Sequence, residues 1–144
     1  MSATTSVELT EAERELLARP LHAILTVAPL PGRRPTPRPV WFEHQPDGSV
    51  EIITFARAGR VRRIREDPWA AVLVAAPPGE PEHWVSLEGP ASIETDGVAD
   101  VWRRIAGRYW DLGDPEKRAT VEGFLEAEDP VRIVVRPAKV ARGG

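Results

Sequence analysis

Turn signals cut this chain into short segments, and their spacing constrains the fold more than any other feature. Pro29-Leu-Pro-Gly32, Pro46-Asp-Gly48 and Pro77-Pro78-Gly79 each interrupt the chain between short apolar runs. Six runs read as extended: Leu21 to Ala28, Thr36 to His44, Val50 to Phe55, Trp69 to Ala76, His83 to Glu94 and Val131 to Val140. Tight turns between consecutive strands imply antiparallel pairing. Pro37 and Pro39 assign the second run to an edge or bulge, and Gly89-Pro90 predicts a bend in the fifth. In the last run Val131, Ile133 and Val135 alternate with Arg132, Val134 and Arg136.

Helical signals are fewer. Thr10-Glu-Ala-Glu13 is a capping box and predicts a short helix that ends before Pro20. A second helix is predicted over Gly59 to Asp67, stopped by Pro68. From Asp96 to Tyr109 the residues Val98, Val101, Trp102, Ile105 and Tyr109 repeat at helical spacing, and a fourth helix covers Pro115 to Ala127. Six strands with peripheral helices describe a mainly β chain closing as a small antiparallel barrel, not a doubly wound sheet. A length of 144 residues fits one domain over 1–144, with 1–8 and 141–144 expected to be flexible.

Composition removes several function classes. The chain has no cysteine, which excludes disulfide frameworks, thiolate metal sites, iron–sulfur clusters and cysteine nucleophiles. Its first twenty residues lack the apolar core of a signal peptide, and the longest apolar run, Trp69 to Ala76, is far shorter than a membrane helix. The expectation is a cytoplasmic protein with no membrane association. A net charge of −3 argues against a general nucleic-acid binder. Neither a Rossmann glycine fingerprint, a phosphate loop, a Gly-x-Ser-x-Gly elbow nor a His-Glu-x-x-His motif is present. His22, His44 and His83 are spaced without any metal-site pattern, so no metal site is assigned.

Charge is nevertheless uneven. Between Arg33 and Arg65 eight arginines stand against three acidic residues. A local positive field in an acidic chain fits a small anionic ligand better than a long polyanion. The densest part is Arg57 to Arg65, with five arginines in nine residues at a predicted strand-to-helix junction. Helix N-terminal amides attract anions and arginine forks bind phosphate oxygens, so Arg57 and Arg60 read as a phosphate cradle. Some of the cluster must be solvated surface, because Arg62 and Arg65 fall opposite Val61 and Ile64 on a helix.

Three segments together resemble the pyridoxamine 5′-phosphate oxidase-like superfamily, in particular its small flavin and deazaflavin oxidoreductases. They are Gly32-Arg-Arg-Pro-Thr-Pro-Arg-Pro-Val-Trp-Phe42, Thr54 through Arg60-Val-Arg-Arg-Ile-Arg-Glu-Asp-Pro68, and His83-Trp-Val-Ser-Leu-Glu-Gly89. The resemblance implies a six-stranded split β-barrel and a homodimer with cofactor sites at the subunit interface. It implies coenzyme F420 or FMN as cofactor. It makes Thr54, Arg57, Arg60 and Arg62 cofactor contacts around the phosphate, Val40, Trp41 and Phe42 the platform for the ring, and Trp84 a lid. Arg60 stands where this family usually has lysine, and Arg63 where it often has asparagine.

The implied activity is hydride transfer between the cofactor and a small organic substrate, with no essential protein nucleophile and no assigned catalytic residue. The alternative is a non-catalytic split-barrel dimer that binds, carries or senses a flavin, deazaflavin or haem. Among the aromatic residues, Trp69, Trp84 and Trp102 fit packed faces, and Trp41 and Trp110 fit either packing or a ligand or dimer surface. Tyr109 fits either an anchor for the end of its helix or a proton donor to substrate.

Overall fold

A computed structural model describes residues 7–127 and 129–144. The order is α1 (Glu11–Ala18), β1 (Ala23–Val27), β2 (Arg38–Val40), β3 (Glu43–His44), β4 (Val50–Phe55), α2 (Gly59–Glu66), β5 (Trp69–Ala75), β6 (Trp84–Glu94), α3 (Val98–Tyr109), α4 (Pro115–Ala127), β7 (Pro130–Val135) and β8 (Lys139–Gly143). The strands run β2-β1-β5-β6-β7-β4-β3, with β8 also on β6, and all pairs are antiparallel. The sheet curls into a half-barrel around one apolar core that includes Leu17, Phe42, Ile52, Ile64, Leu87 and Ile133. This is the mainly β split-barrel architecture expected from the sequence.

Eight strands form where six were expected, and pairing explains both additions. The Thr36 to His44 run changes partner midway: Val40 lies opposite Ala23 of β1, whereas His44 lies opposite Val50 of β4. Between them Phe42 turns wholly into the core, at 0% exposure. Full burial of such a side chain contributes about 1.5–3 kcal/mol, enough to split the strand there. The last run also divides, into β7 and β8. The tail expected to be loose from residue 141 instead continues β8, with Ala141, Arg142 and Gly143 opposite Ser86, Val85 and Trp84. Residues 1–6 of the other expected flexible end lie outside the described residues; the Glu8 carbonyl accepts a hydrogen bond from Arg142 Nη2 at 3.1 Å.

The bend expected at Gly89-Pro90 is where β6 passes from one half of the sheet to the other. Its first part pairs with β5 and β8, and Ala91 to Glu94 pair with β7. The partner register slips by one residue across Arg136-Pro137-Ala138, the signature of a β-bulge. Backbone bonds hold the crossing: Arg136 N donates to the Pro90 carbonyl at 2.9 Å and Ala138 N to the Glu88 carbonyl at 2.8 Å. A Cβ at Gly89 would collide with the Arg136 carbonyl and lie 2.8 Å from Ala138 N, so only glycine fits. Gly89→Ala should therefore destabilise the fold by at least ~2 kcal/mol. Chemical denaturation of this variant beside the exposed-site control Gly123→Ala, where a Cβ meets open space, reads that difference.

The predicted capping box is present. Glu13 N donates to Thr10 Oγ1 at 3.1 Å, and Thr10 N donates to Glu13 Oε1 at 2.9 Å. Arg142 of β8 adds a bond from Nε to Glu13 Oε2 at 2.6 Å, tying the C-terminal strand to α1. That bond is the largest cause holding the Glu13 carboxyl below its ordinary value, with burial opposing it and the Thr10 bonds assisting. A depressed carboxylate pKa adds stability above the unfolded value, about 4.3, and that stability is lost as pH falls through the folded value. Arg142→Ala should lower the Tm at pH 7 by roughly 2–5 °C. In thermal melts from pH 7 to pH 3 the gap to wild type should close below about pH 4.

Candidate functional site

The site grows from the junction of β4 and α2. After Phe55 the chain turns, with Ala58 N donating to the Phe55 carbonyl at 3.0 Å. Ala58 is the N-cap of α2 and has no side-chain oxygen, so no side chain caps the helix. The first amides of α2 are left for water or a ligand. Val61 and Ile64 are buried and anchor α2 on the core. Arg62 and Arg65 fall on the exposed face, as the helical spacing predicts.

Arg60 and Arg63 are the half-buried arginines of the cluster. Arg60 Nε donates to Thr54 Oγ1 at 3.1 Å, and Thr54 is itself 2% exposed. Arg63 Nη1 donates to the Gly59 carbonyl at 3.0 Å. Facing them across a gap are β1 and β2, and the gap is a cavity of about 400 Å³ lined by Leu25, Val27, Thr36, Arg38, Pro39, Ala58, Gly59, Arg60 and Arg63. A second cavity of about 260 Å³ adjoins it, shares Val27, Thr36 and Arg63, and adds Arg33 and Arg34. Together they reach the size range of small-molecule sites.

Electrostatics set the character of this gap. Burial first, then the nearby charge of Arg38, hold the Arg60 guanidinium below its ordinary pKa. It stays protonated, because arginine does not lose its proton in proteins. Among the described residues none of Arg33, Arg34, Arg38, Arg60 and Arg63 pairs with a carboxylate. Some arginines elsewhere are paired, as in Arg19–Glu80 and Arg103–Glu122, both at 2.8 Å. An uncapped helix start beside unpaired guanidinium groups suits an anion in both its dipole and its donors.

Of the residues expected at the site, Thr54 and Arg60 come together here, and the others stand elsewhere. Arg57 and Arg62 are exposed and do not line either cavity. Val40 packs on the core beside Pro39, which does line the gap. Trp41 lies under α3, stacked on Tyr109 at 4.7 Å and Trp102 at 5.9 Å, with Trp110 edge-on at 5.1 Å. Phe42 is core, and its amide donates to Tyr109 Oη at 3.2 Å. Trp84 lies against Gly143 and opposite Ala75, away from the arginine cavities.

Tyr109 is an anchor. Its hydroxyl donates to the Leu21 carbonyl at 2.8 Å and fixes the end of α3 on the β1 and β3 side. Arg33, Arg34, Arg38 and Arg63 line the two cavities, and sequence reasoning did not assign them. Their signal was the charge excess between Arg33 and Arg65, which marked the region without showing which arginines converge. Among the described residues no group of three or more His, Asp or Glu side chains is placed to hold a metal ion. No described helix is long and apolar enough to cross a membrane.

Comparison with known proteins follows the same line. Among curated proteins none matches the sequence. An F420 reductase structure is 23% identical, covers 92% of this chain and 98% of its own, and superposes with a TM-score of 0.70. General Stress Protein 26 from Bacillus anthracis is 18% identical, covering 92% of this chain and 91% of its own, with a TM-score of 0.62. A heme binding protein from Mycobacterium smegmatis is 23% identical and matches 96% of this chain but 55% of its own, with a TM-score of 0.67. At these identities the likeness establishes the fold. The sequence profile described as pyridoxamine 5′-phosphate oxidase matches residues 9–139, and the chain belongs to that family.

Proposed function

We propose that this protein is a homodimeric oxidoreductase that binds coenzyme F420 in the arginine-lined gap. The observation that carries the reading is the pair of adjoining cavities with five arginines unpaired by carboxylates. FMN carries one phosphate, which Arg60, Arg38 and the start of α2 could hold by themselves. Coenzyme F420 carries a phosphodiester followed by a chain of carboxylates, and that longer anion gives Arg33, Arg34 and Arg63 something to bind. The F420 reductase of similar fold supports the same choice.

When bound, the deazaflavin supplies hydride chemistry toward an unsaturated or carbonyl-containing acceptor. The protein's part is binding and orientation. Arg60 and the α2 amides hold the phosphate, and Leu25, Val27 and Pro39 give the gap an apolar wall that excludes water. Among the described residues no side chain lining the gap within one protomer is a carboxylate, histidine or tyrosine, and the reading assigns no general acid. The heme binding protein of like fold supports the non-catalytic alternative. Anaerobic reoxidation of the reduced cofactor by a panel of acceptors separates the two, and no turnover with any acceptor favours the binder.

The dimer would form on the outer face of β1, β5 and β6. Ile24 and Leu73 lie opposite each other there and are the two exposed large hydrophobic residues among those described, each at 36%. Ala71, Ala75 and Trp84 share that face by register. Isologous burial of such a patch is the commonest way to cover it. Leu73→Asp should convert the dimer to a monomer in sedimentation; a monomeric wild type at micromolar concentration would remove the dimer from the account.

Arg60→Ala should weaken F420 binding by about 1.5–3 kcal/mol, a 10- to 150-fold loss, and keep the fold. Arg65→Ala removes the same charge from the exposed face of α2. It should cost several-fold less, and the difference should persist at high salt, where only a general field is screened. Equal losses in fluorescence titrations would contradict a direct phosphate role for Arg60.

A further inference from the structure

We infer that Thr54 is a positioning residue: it holds Arg60 by Nε so that both terminal nitrogens face the cavity as one fork. The inference rests on the cofactor reading above and assigns Thr54 a different task from contact with the phosphate. Thr54 is 2% exposed and does not line the cavity, so it does not meet the ligand. Its Oγ1 accepts from Arg60 Nε at 3.1 Å, and among the described residues the two Nη atoms make no hydrogen bond. Among the described residues the buried unpartnered side-chain atoms are His44 Nε2 and Arg108 Nε, so the Arg60 Nη atoms keep some exposure, and Arg60 lines the gap.

The arrangement gives a reason for arginine where lysine is usual. A lysine ammonium is one point charge at the end of a free stem. Arginine has a third nitrogen, so one N–H can be spent on a protein acceptor while two remain for a bidentate anion contact. Thr54 is the last inward residue of β4 and Arg60 is in the first turn of α2. Burial and the charge of Arg38 both oppose the Arg60 charge, so an untethered guanidinium would swing toward solvent. Pre-organisation of this kind raises affinity by removing the ordering cost from the binding step.

The test uses Thr54→Val and Thr54→Ser, each in the wild-type and Arg60→Lys backgrounds, with thermal melts to confirm folding. In the ligand-free protein an arginine Nε–H resonance with slow exchange should be present, absent in Arg60→Lys and Thr54→Val, and kept in Thr54→Ser. The Kd for coenzyme F420 should rise 3- to 10-fold in Thr54→Val, recover in Thr54→Ser, and be unchanged by Thr54→Val once Arg60 is lysine. An equal rise in both backgrounds, or an Nε–H signal indifferent to Thr54→Val, would overturn the inference. If wild type binds neither F420 nor FMN, the cofactor reading fails separately. Inorganic pyrophosphate is then the probe: a shift of the Arg60 Nε–H in wild type and Thr54→Ser but not Thr54→Val supports the tether, and no shift in wild type overturns it.

Discussion

Everything in this fold hangs on β6 being shared. Its first part carries β5, and through it β1 and β2, while its last residues carry β7, and through it β4 and β3. The transfer is possible because Gly89 lets the Arg136–Ala138 backbone cross close by. A sheet hung this way ends in the short strands β2 and β3, next to β1 and β4, and α2 is the connection from β4 to β5. The start of α2 thus sits opposite β1 and β2 as a consequence of topology. The cavity is the space the split leaves.

The split becomes a site because of how charge is distributed around it. Away from the gap several arginines find carboxylates, as Arg104 does with Glu43 at 2.6 Å and Arg132 with Glu51. Such pairs at the surface add little stability but neutralise their neighbourhood. Around the gap that compensation is missing, and Arg38 and Arg60 are close enough to oppose each other. Repulsion between like charges next to an uncapped helix start has a simple remedy, which is an anion of at least two negative charges. The same acidic remainder that gives the chain its net charge of −3 keeps this field local.

Local signals in the sequence were readable where a residue's role is set by its near neighbours. The capping box at Thr10 and Glu13, the buried faces at Val61 and Ile64, and the bend at Gly89 all rest on spacing within a few residues. The unread parts depend on distant pairing. Nothing near Arg142 announces that it will meet Glu13, and so the stretch from residue 141 to 144 looked like a loose tail. Nothing near Trp41 shows that Tyr109 and Trp102 will cover it, although its indole looked suited to a ligand. The arginine excess was visible as a count, but only the fold separates Arg38 and Arg63, which line the cavity, from Arg62 and Arg65, which face outward.

The most direct measurement is a crystal structure of the protein grown with coenzyme F420. The account predicts a phosphate within hydrogen-bond distance of the Arg60 terminal nitrogens and the first amides of α2, with the carboxylate tail running past Arg63 toward Arg33 and Arg34. Ring density elsewhere, with Arg60 swung away from Thr54 and its cavity filled only by water, would contradict it.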